Sequence, residues 1–313
     1  MSYTIGVDVG GTKIAAGLVT EDGEVVRKAL RRTPATEVEA TENAIRELVE
    51  ELREGVDIEA VGIGAAGFCD ASRSSVVYAP NLAWRNEPLR ERIEASTGLH
   101  TVVENDANAA AWGEFRFGAA RDVTSAVVVT LGTGIGGGII IDDQLIRGSH
   151  GFAGEIGHMQ IKAGGRRCGC GLRGCWERYG SGTAVVHEAR EIAMVAPVSA
   201  ARILELAGGN PYEISGEMVT QAAQEGDPTA QDVINTVAEW IGIGLADLAA
   251  ILDPQAFVLA GGVSNAGEIL RNPVENAFVK NLTARNYRNI AEIRLARLGV
   301  PAGLIGAADL ARR

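Results

Sequence analysis

The sequence has no basic run longer than two residues, no basic-then-apolar leader at its start, and no unbroken stretch of about 18 apolar residues. Each absence excludes a class of function. A nucleic-acid binder needs Lys and Arg clustered against phosphates. Here 29 Lys and Arg are outnumbered by 40 Asp and Glu, for a net charge of -11. The start, Met1-Ser2-Tyr3-Thr4-Ile5-Gly6, enters a strand pattern directly, so no signal peptide is expected. The lack of a long apolar run argues against a membrane span. The expectation is a cytoplasmic chain with neither nucleic acid nor membrane as partner. Cysteine is also scarce. Cys69 stands alone, and Cys168, Cys170 and Cys175 fall within eight residues. In a reducing compartment such a cluster favours a metal over a disulfide.

What is present is enough apolar residue to bury sizeable cores. At 313 residues, 46% of them hydrophobic, about two domains are expected. Tyr3 to Val9 alternates, Gly10-Gly11 turns the chain, Lys13 to Val19 runs back, and Glu24 to Leu30 reads as a third strand. Glu37 to Glu54 has helical spacing of apolar residues. Ala60 to Ala66 reads as a strand, Pro88 to Ser96 as a helix, Thr101 to Val103 as a strand, and Ala107 to Phe117 as a helix. The pattern then restarts: strand Ser125 to Leu131, a glycine-rich turn Gly132 to Gly138, and a return strand Ile139 to Ile141. Two strand–turn–strand units, each opening an α/β segment, predict a duplicated architecture. The boundary is placed near Arg121. A helix is predicted over Pro228 to Leu252, a strand over Phe257 to Ala260, and a last helix over Ala302 to Ala311.

Both glycine turns have a chemical reading. In Asp8-Val9-Gly10-Gly11-Thr12-Lys13, backbone N–H groups can approach phosphate oxygens with no Cβ in the way. Asp8 would hold Mg²⁺, directly or through water, and Thr12 and Lys13 would add a hydroxyl and a charge. An ordinary hairpin reads the same way. Gly132 to Gly138, after Leu131, carries five glycines in seven residues, more than a hairpin needs, which points to close approach of a ligand. Between them lies Glu104-Asn105-Asp106-Ala107-Asn108. A carboxylate at this strand-to-helix junction serves as a helix cap, as a general base, or as both. As base, Asp106 takes a proton from a hydroxyl that attacks a γ-phosphate.

His158 with Cys168, Cys170 and Cys175 matches a tetrahedral Cys₃His zinc site. Four protein ligands close such a site, so its role is structural. The alternative is a set of buried free thiols. The flanking Glu155 and Glu177 would then be anchored as acceptors for sugar hydroxyls. Cys69 reads as a packed thiol. Gly261-Gly262, after a strand end, is either a simple turn or an entry for a nucleotide.

These segments, in this order along nearly the whole chain, resemble the ROK family of sugar kinases and related repressors, within the actin-like ATPase superfamily. Asp8 to Lys13 is similar to the family's first phosphate motif and Leu131 to Gly138 to the second. Glu104 to Asn108 is similar to the segment with the catalytic aspartate, and Gly261-Gly262 to the adenosine motif. A further glycine usual before that pair is Ala260 here. The resemblance implies an α/β fold of two actin-like, ribonuclease H-like lobes with an ATP and sugar cleft between them. The implied lobes are residues 1–120, with helix 302–313 returning to the first, and 121–301. It implies sugar contacts from Gly67, Asn81, Asn105, Asp106, Glu155, His158 and Glu177. Nucleotide contacts would come from Asp8, Gly10, Gly11, Thr12, Lys13, Thr133, Gly134, Gly261 and Gly262. His158 would use one ring nitrogen for zinc and the other for a sugar hydroxyl.

Within the family, Ala79-Pro80-Asn81 and Ala109 to Glu114 look most like bacterial glucokinases. The expected activity is transfer of the γ-phosphoryl of ATP to the 6-hydroxyl of glucose, with Mg²⁺, a structural Zn²⁺ and a homodimer or homotetramer. Kinases for N-acetylmannosamine, N-acetylglucosamine, fructose or mannose are the nearest rivals, and a polyphosphate-using relative is disfavoured by the cysteine motif. A sugar-sensing repressor would need a helix-turn-helix before the first phosphate motif, where only seven residues precede Asp8. A non-catalytic sugar-binding module would leave both phosphate turns and Asp106 without a task.

Overall fold

In the computed structural model, which describes residues 2–313, alternation puts Ile5, Val7 and Val9 of β1 (Tyr3–Val9) into the core. β2 (Lys13–Val19) and β3 (Val25–Arg32) extend it as antiparallel neighbours. Arg27, Lys28, Arg31 and Arg32 charge the β3 edge, which discourages addition of a further strand. α1 (Val38–Arg53) buries Ile45, Leu48, Val49 and Leu52, a stripe at helical spacing. β4 (Ile58–Ala65) lies parallel to β1. β5 (Phe68–Cys69), β6 (Val76–Tyr78) and β7 (Arg85–Glu87) form a small sheet of their own. α2 (Leu89–Thr97) leads into β8 (His100–Asn105), parallel to β4, and then α3 (Asp106–Phe117). The first large sheet has the order β3-β2-β1-β4-β8.

The plan then repeats. β9 (Ala126–Leu131), β10 (Ile135–Ile141) and β11 (Gln144–Leu145) open it. α4 (Glu177–Gly180), α5 (Gly182–Val195), α6 (Ala201–Leu206), α7 (Gly216–Gln224) and α8 (Pro228–Leu252) follow. β12 (Ala256–Ala260), α9 (Glu268–Asn281) and β13 (Glu292–Leu295) complete the second sheet, β11-β10-β9-β12-β13. Counted within each sheet, both orders are third, second, first, fourth, fifth. That duplicated α/β plan is the actin-like, ribonuclease H-like fold.

The chain divides into two compact units. One comprises residues up to Val128, Gly137–Gly154 and Arg297–Arg313; the other comprises Val129–Gly136 and Glu155–Ala296. In the first, α10 (Ala302–Ala311) is buried along its whole length. It lies on β1 and β4 where Gly6 and Gly62 leave no room for a Cβ against its backbone. Asp309 of α10 accepts from Trp112 Nε1 at 2.8 Å and from Arg116 and Arg313. Glu114, fully buried on α3, accepts from the backbone N–H groups of Ala119, Arg297 and Leu298.

Two expectations change. The return strand of the second hairpin begins at Ile135, so Gly136 to Gly138 are strand residues and not turn. Helix α8 is long and apolar enough to cross a membrane by length and composition. Asp232, Glu239 and Asp247 interrupt its apolar run, so it is not an unbroken apolar stretch. The helix is a core element: Val233, Val237, Ile241, Leu245 and Leu248 are buried, and it packs on α4, α5, α7 and α9 of its own unit.

Candidate functional site

In the first unit the opening hairpin places its glycines tightly. Gly10 N donates to Lys13 O at 3.1 Å, and Thr33 Oγ1 donates to Gly10 O at 2.7 Å. A Cβ at Gly11 would stand 3.0 Å from the Cβ of Asn81, so this turn and Asn81 adjoin. Thr12 and Lys13 are exposed at the tip. Burial pushes the Asp8 carboxyl above its ordinary range, and the Lys13 charge opposes this. A buried carboxylate of that kind gains from a cation beside it.

β8 ends at Asn105 and α3 begins at Asp106. The helix cap is Asn105, whose Oδ1 accepts from Asn108 N at 3.0 Å. Asp106 holds the first turn, its Oδ1 accepting from Ala107 N at 2.9 Å and from Asn105 Nδ2 at 3.1 Å. Asn105 Nδ2 also donates to Gly67 O at 3.1 Å. Gly67, Asn105 and Asp106 therefore form one hydrogen-bonded group.

In the second unit Glu155, His158, Cys168 and Glu177 gather on chain with little regular structure. His158 Nε2 lies 3.9 Å from Glu155 Oε2, and its Nδ1 lies 3.7 Å from Cys168 Sγ. Cys168 Sγ donates to Glu177 Oε1 at 2.8 Å, and a Cβ at Gly134 would stand 2.5 Å from Glu177 Oε2. Burial raises the pKa of Glu155; His158 opposes the shift and Glu177 adds to it. The donor atoms of His158, Cys168, Cys170 and Cys175 all lie within 4.8 Å of one another, and Cys170 Sγ is 3.6 Å from Cys175 Sγ. A tetrahedral zinc would set neighbouring sulfurs about 3.8 Å apart, and sulfur to nitrogen about 3.6 Å. The donor set fits that ion. Cys69 is buried elsewhere, and burial raises its thiol pKa well above the ordinary value.

The second glycine segment serves packing as well as access. Gly138 has no room for a Cβ beside Ala111 of α3. Gly261 sits at φ +86° with Leu131 O where a Cβ would go, so that glycine is a backbone requirement. Gly132 and Gly262 face open space. They line a cavity of about 640 Å³ in the second unit, with Thr133, Thr183, Gly216 and Gln221. Thr133 O accepts from Thr183 Oγ1 at 2.6 Å, and Gly132 O accepts from Gly182 N at 2.8 Å. The walls from α5 and α7 were missed in the sequence. Their signal is a pair of helix starts, Ser181-Gly182-Thr183 and Ser215-Gly216, where Ser181 and Ser215 cap by accepting from Ala184 N and Met218 N.

Residues 4–313 match the model of the ROK family. The chain belongs to the ROK family. It is 49% identical over 312 residues to a glucokinase of Streptomyces coelicolor, covering 100% of this chain and 98% of that one. It superposes with a TM-score of 0.91 on the crystal structure of a ROK family glucokinase from Streptomyces griseus in complex with glucose and AMPPNP. That pair is 49% identical, and 99% of each chain is covered. A ROK hexokinase from Thermus thermophilus superposes at 0.81 with 35% identity, covering 98% of this chain and 97% of that one.

Proposed function

We propose that this ROK protein transfers the γ-phosphoryl of ATP to the 6-hydroxyl of glucose. The observation that carries the reading is that Asn105, not Asp106, caps α3. Asp106 stands in the first turn beside that cap, its Oδ1 held by Asn105 Nδ2 and Ala107 N. It takes the proton of the glucose 6-hydroxyl as that oxygen bonds to the γ-phosphorus. The bond from the γ-phosphorus to the bridging oxygen breaks, and ADP leaves with the electron pair. The glucose and AMPPNP held by the Streptomyces griseus relative support both substrates.

Glucose hydroxyls are taken by Gly67, Asn81, Asn105, Asp106, Glu155, His158 and Glu177. The nucleotide phosphates are taken by Gly10, Gly11, Thr12 and Lys13 and by Thr133 and Gly134. Gly262 borders the cavity where the adenosine would enter, with Gly261 setting the backbone beside it. Asp8 would hold Mg²⁺, which neutralises phosphate charge when bound. His158, Cys168, Cys170 and Cys175 would hold a structural zinc, which fixes the loop that carries Glu155 and Glu177. The proposed lobes are residues 1–120 with 302–313, and 121–301. The proposed setting is the cytoplasm, and the proposed assembly is a homodimer or homotetramer.

Replacing Asp106 by Ala tests the base. Turnover should fall by about 10³-fold or more while calorimetric glucose affinity stays within a few-fold. Turnover retained within tenfold would sink the reading.

A further inference from the structure

Glu104 precedes the proposed base by two residues, and it is only 1% exposed. A carboxylate so buried is costly unless each oxygen is paired. Here both are. Oε1 accepts from Asn105 N at 2.9 Å and from Asn108 Nδ2 at 3.1 Å. Oε2 accepts from Arg147 Nε at 2.7 Å, with Arg73 Nε at 3.4 Å. Arg147 is itself fixed, donating to Asp70 O and Ala71 O. The partners of Oε1 are the two residues that shape the start of α3. Asn105 and Asn108 are bonded to each other at the cap, and Asn105 Nδ2 reaches Asp106 Oδ1. An unbroken chain of bonds thus runs from Arg147 through Glu104 and Asn105 to the Asp106 carboxylate.

A buried ion pair is seldom kept for stability, because an apolar replacement of the same volume is often as stable. A pair kept for orientation acts on the geometry of the group it holds. We propose that Glu104, held by Arg147, is a positioning residue that sets the orientation of the Asp106 carboxylate through Asn105 and Asn108; this rests on Asp106 being the base.

The test is a kinetic double-mutant cycle on the full chain with Glu104→Gln, Asp106→Asn and the pair combined, with KM for ATP and thermal midpoint measured on each. Glu104→Gln should lower kcat about 30-fold and leave KM for ATP within about twofold. In the Asp106→Asn background it should cost nothing further, because its effect runs through Asp106. Arg147→Lys keeps a positive charge beside Glu104 but loses the fork to Asp70 and Ala71. It should fold and lose about fivefold in kcat, also only when Asp106 is present. Wild-type kcat in Glu104→Gln or Arg147→Lys overturns the proposal. So does a loss from Glu104→Gln that multiplies with that of Asp106→Asn. If Glu104→Gln does not fold, Arg147→Lys with and without Asp106 decides by the same criteria. Wild-type turnover in Asp106→Asn alone sinks the base assignment instead, so the two failures are told apart.

Discussion

Two carboxylate clusters are built for polar recognition in this protein, and they are held in opposite ways. Asn105 and Asp106 sit where a buried strand becomes a helix, so regular structure fixes their backbone. Glu104 then braces them from inside through a buried ion pair. Glu155 and Glu177 sit on chain whose only regular elements are a three-residue helical turn and the start of a four-residue helix. There the backbone cannot supply rigidity, and a thiol and imidazole cluster takes over. A site can be made precise by secondary structure or by a cross-link, and the proposed zinc would supply the second method in the second unit.

The contrast is broken most severely at the cross-link. Replacing Cys175 by Ser, or stripping metal with a chelator, should raise the KM for glucose by about 100-fold, while KM for ATP stays within a few-fold. Steady-state kinetics with metal analysis reads this out, and equal effects on both substrates would show that the loop does not serve the sugar. The frame of the first unit answers next. Replacing Glu114 by Gln turns an amide N–H₂ toward backbone donors at Ala119, Arg297 and Leu298. It should cost about 2 kcal/mol in denaturant unfolding. An unchanged midpoint would show that this carboxylate is not a clamp. Gly134→Ala is gentler: its methyl must displace the Glu177 carboxylate, raising the KM for glucose about tenfold with little change in stability.

The smallest effect concerns pH. Burial, a hydrogen bond to Glu87 and the charges of Glu87 and Glu39 raise Glu42 to about 7, against the pull of Arg92. A carboxyl raised in the folded state contributes stability below its unfolded pKa of 4.5, and that contribution is lost as pH rises through 7. Because Glu42 is partly solvated, the effect is discounted to about 1 kcal/mol. Glu42→Gln should therefore leave the melting temperature nearly unchanged at pH 5 and raise it at pH 8. A gain at pH 5 equal to that at pH 8 would contradict the sign.

Much of this was legible in the sequence, for physical reasons that differ by region. The central strands β1, β2 and β4 follow from their apolar runs, since both faces are buried, and β3 from its charged, exposed edge. Helix α8 follows from its apolar spacing, whereas α10, buried on every side, is legible only as a short apolar run. The thiol cluster announces itself by residue type and spacing alone. The role of Glu104 was not legible, because its partner Arg147 is distant in sequence and only folding brings them together. The α5 and α7 walls of the cavity are not legible because Gly182, Thr183, Gly216 and Gln221 come from separate helices that only folding brings round one cavity. The glycines of the second hairpin read as ligand approach; Gly138 and Gly134 also answer to Ala111 and Glu177, contacts that no spacing rule reveals.

The central claim is tested most directly by one coupled assay of ADP release, run with ATP, purified protein and a hexose panel. The account predicts release that requires glucose, matches it mole for mole as glucose 6-phosphate, and shows its highest kcat/KM with glucose. Release independent of sugar, or a higher kcat/KM for N-acetylmannosamine, fructose or mannose, would contradict it.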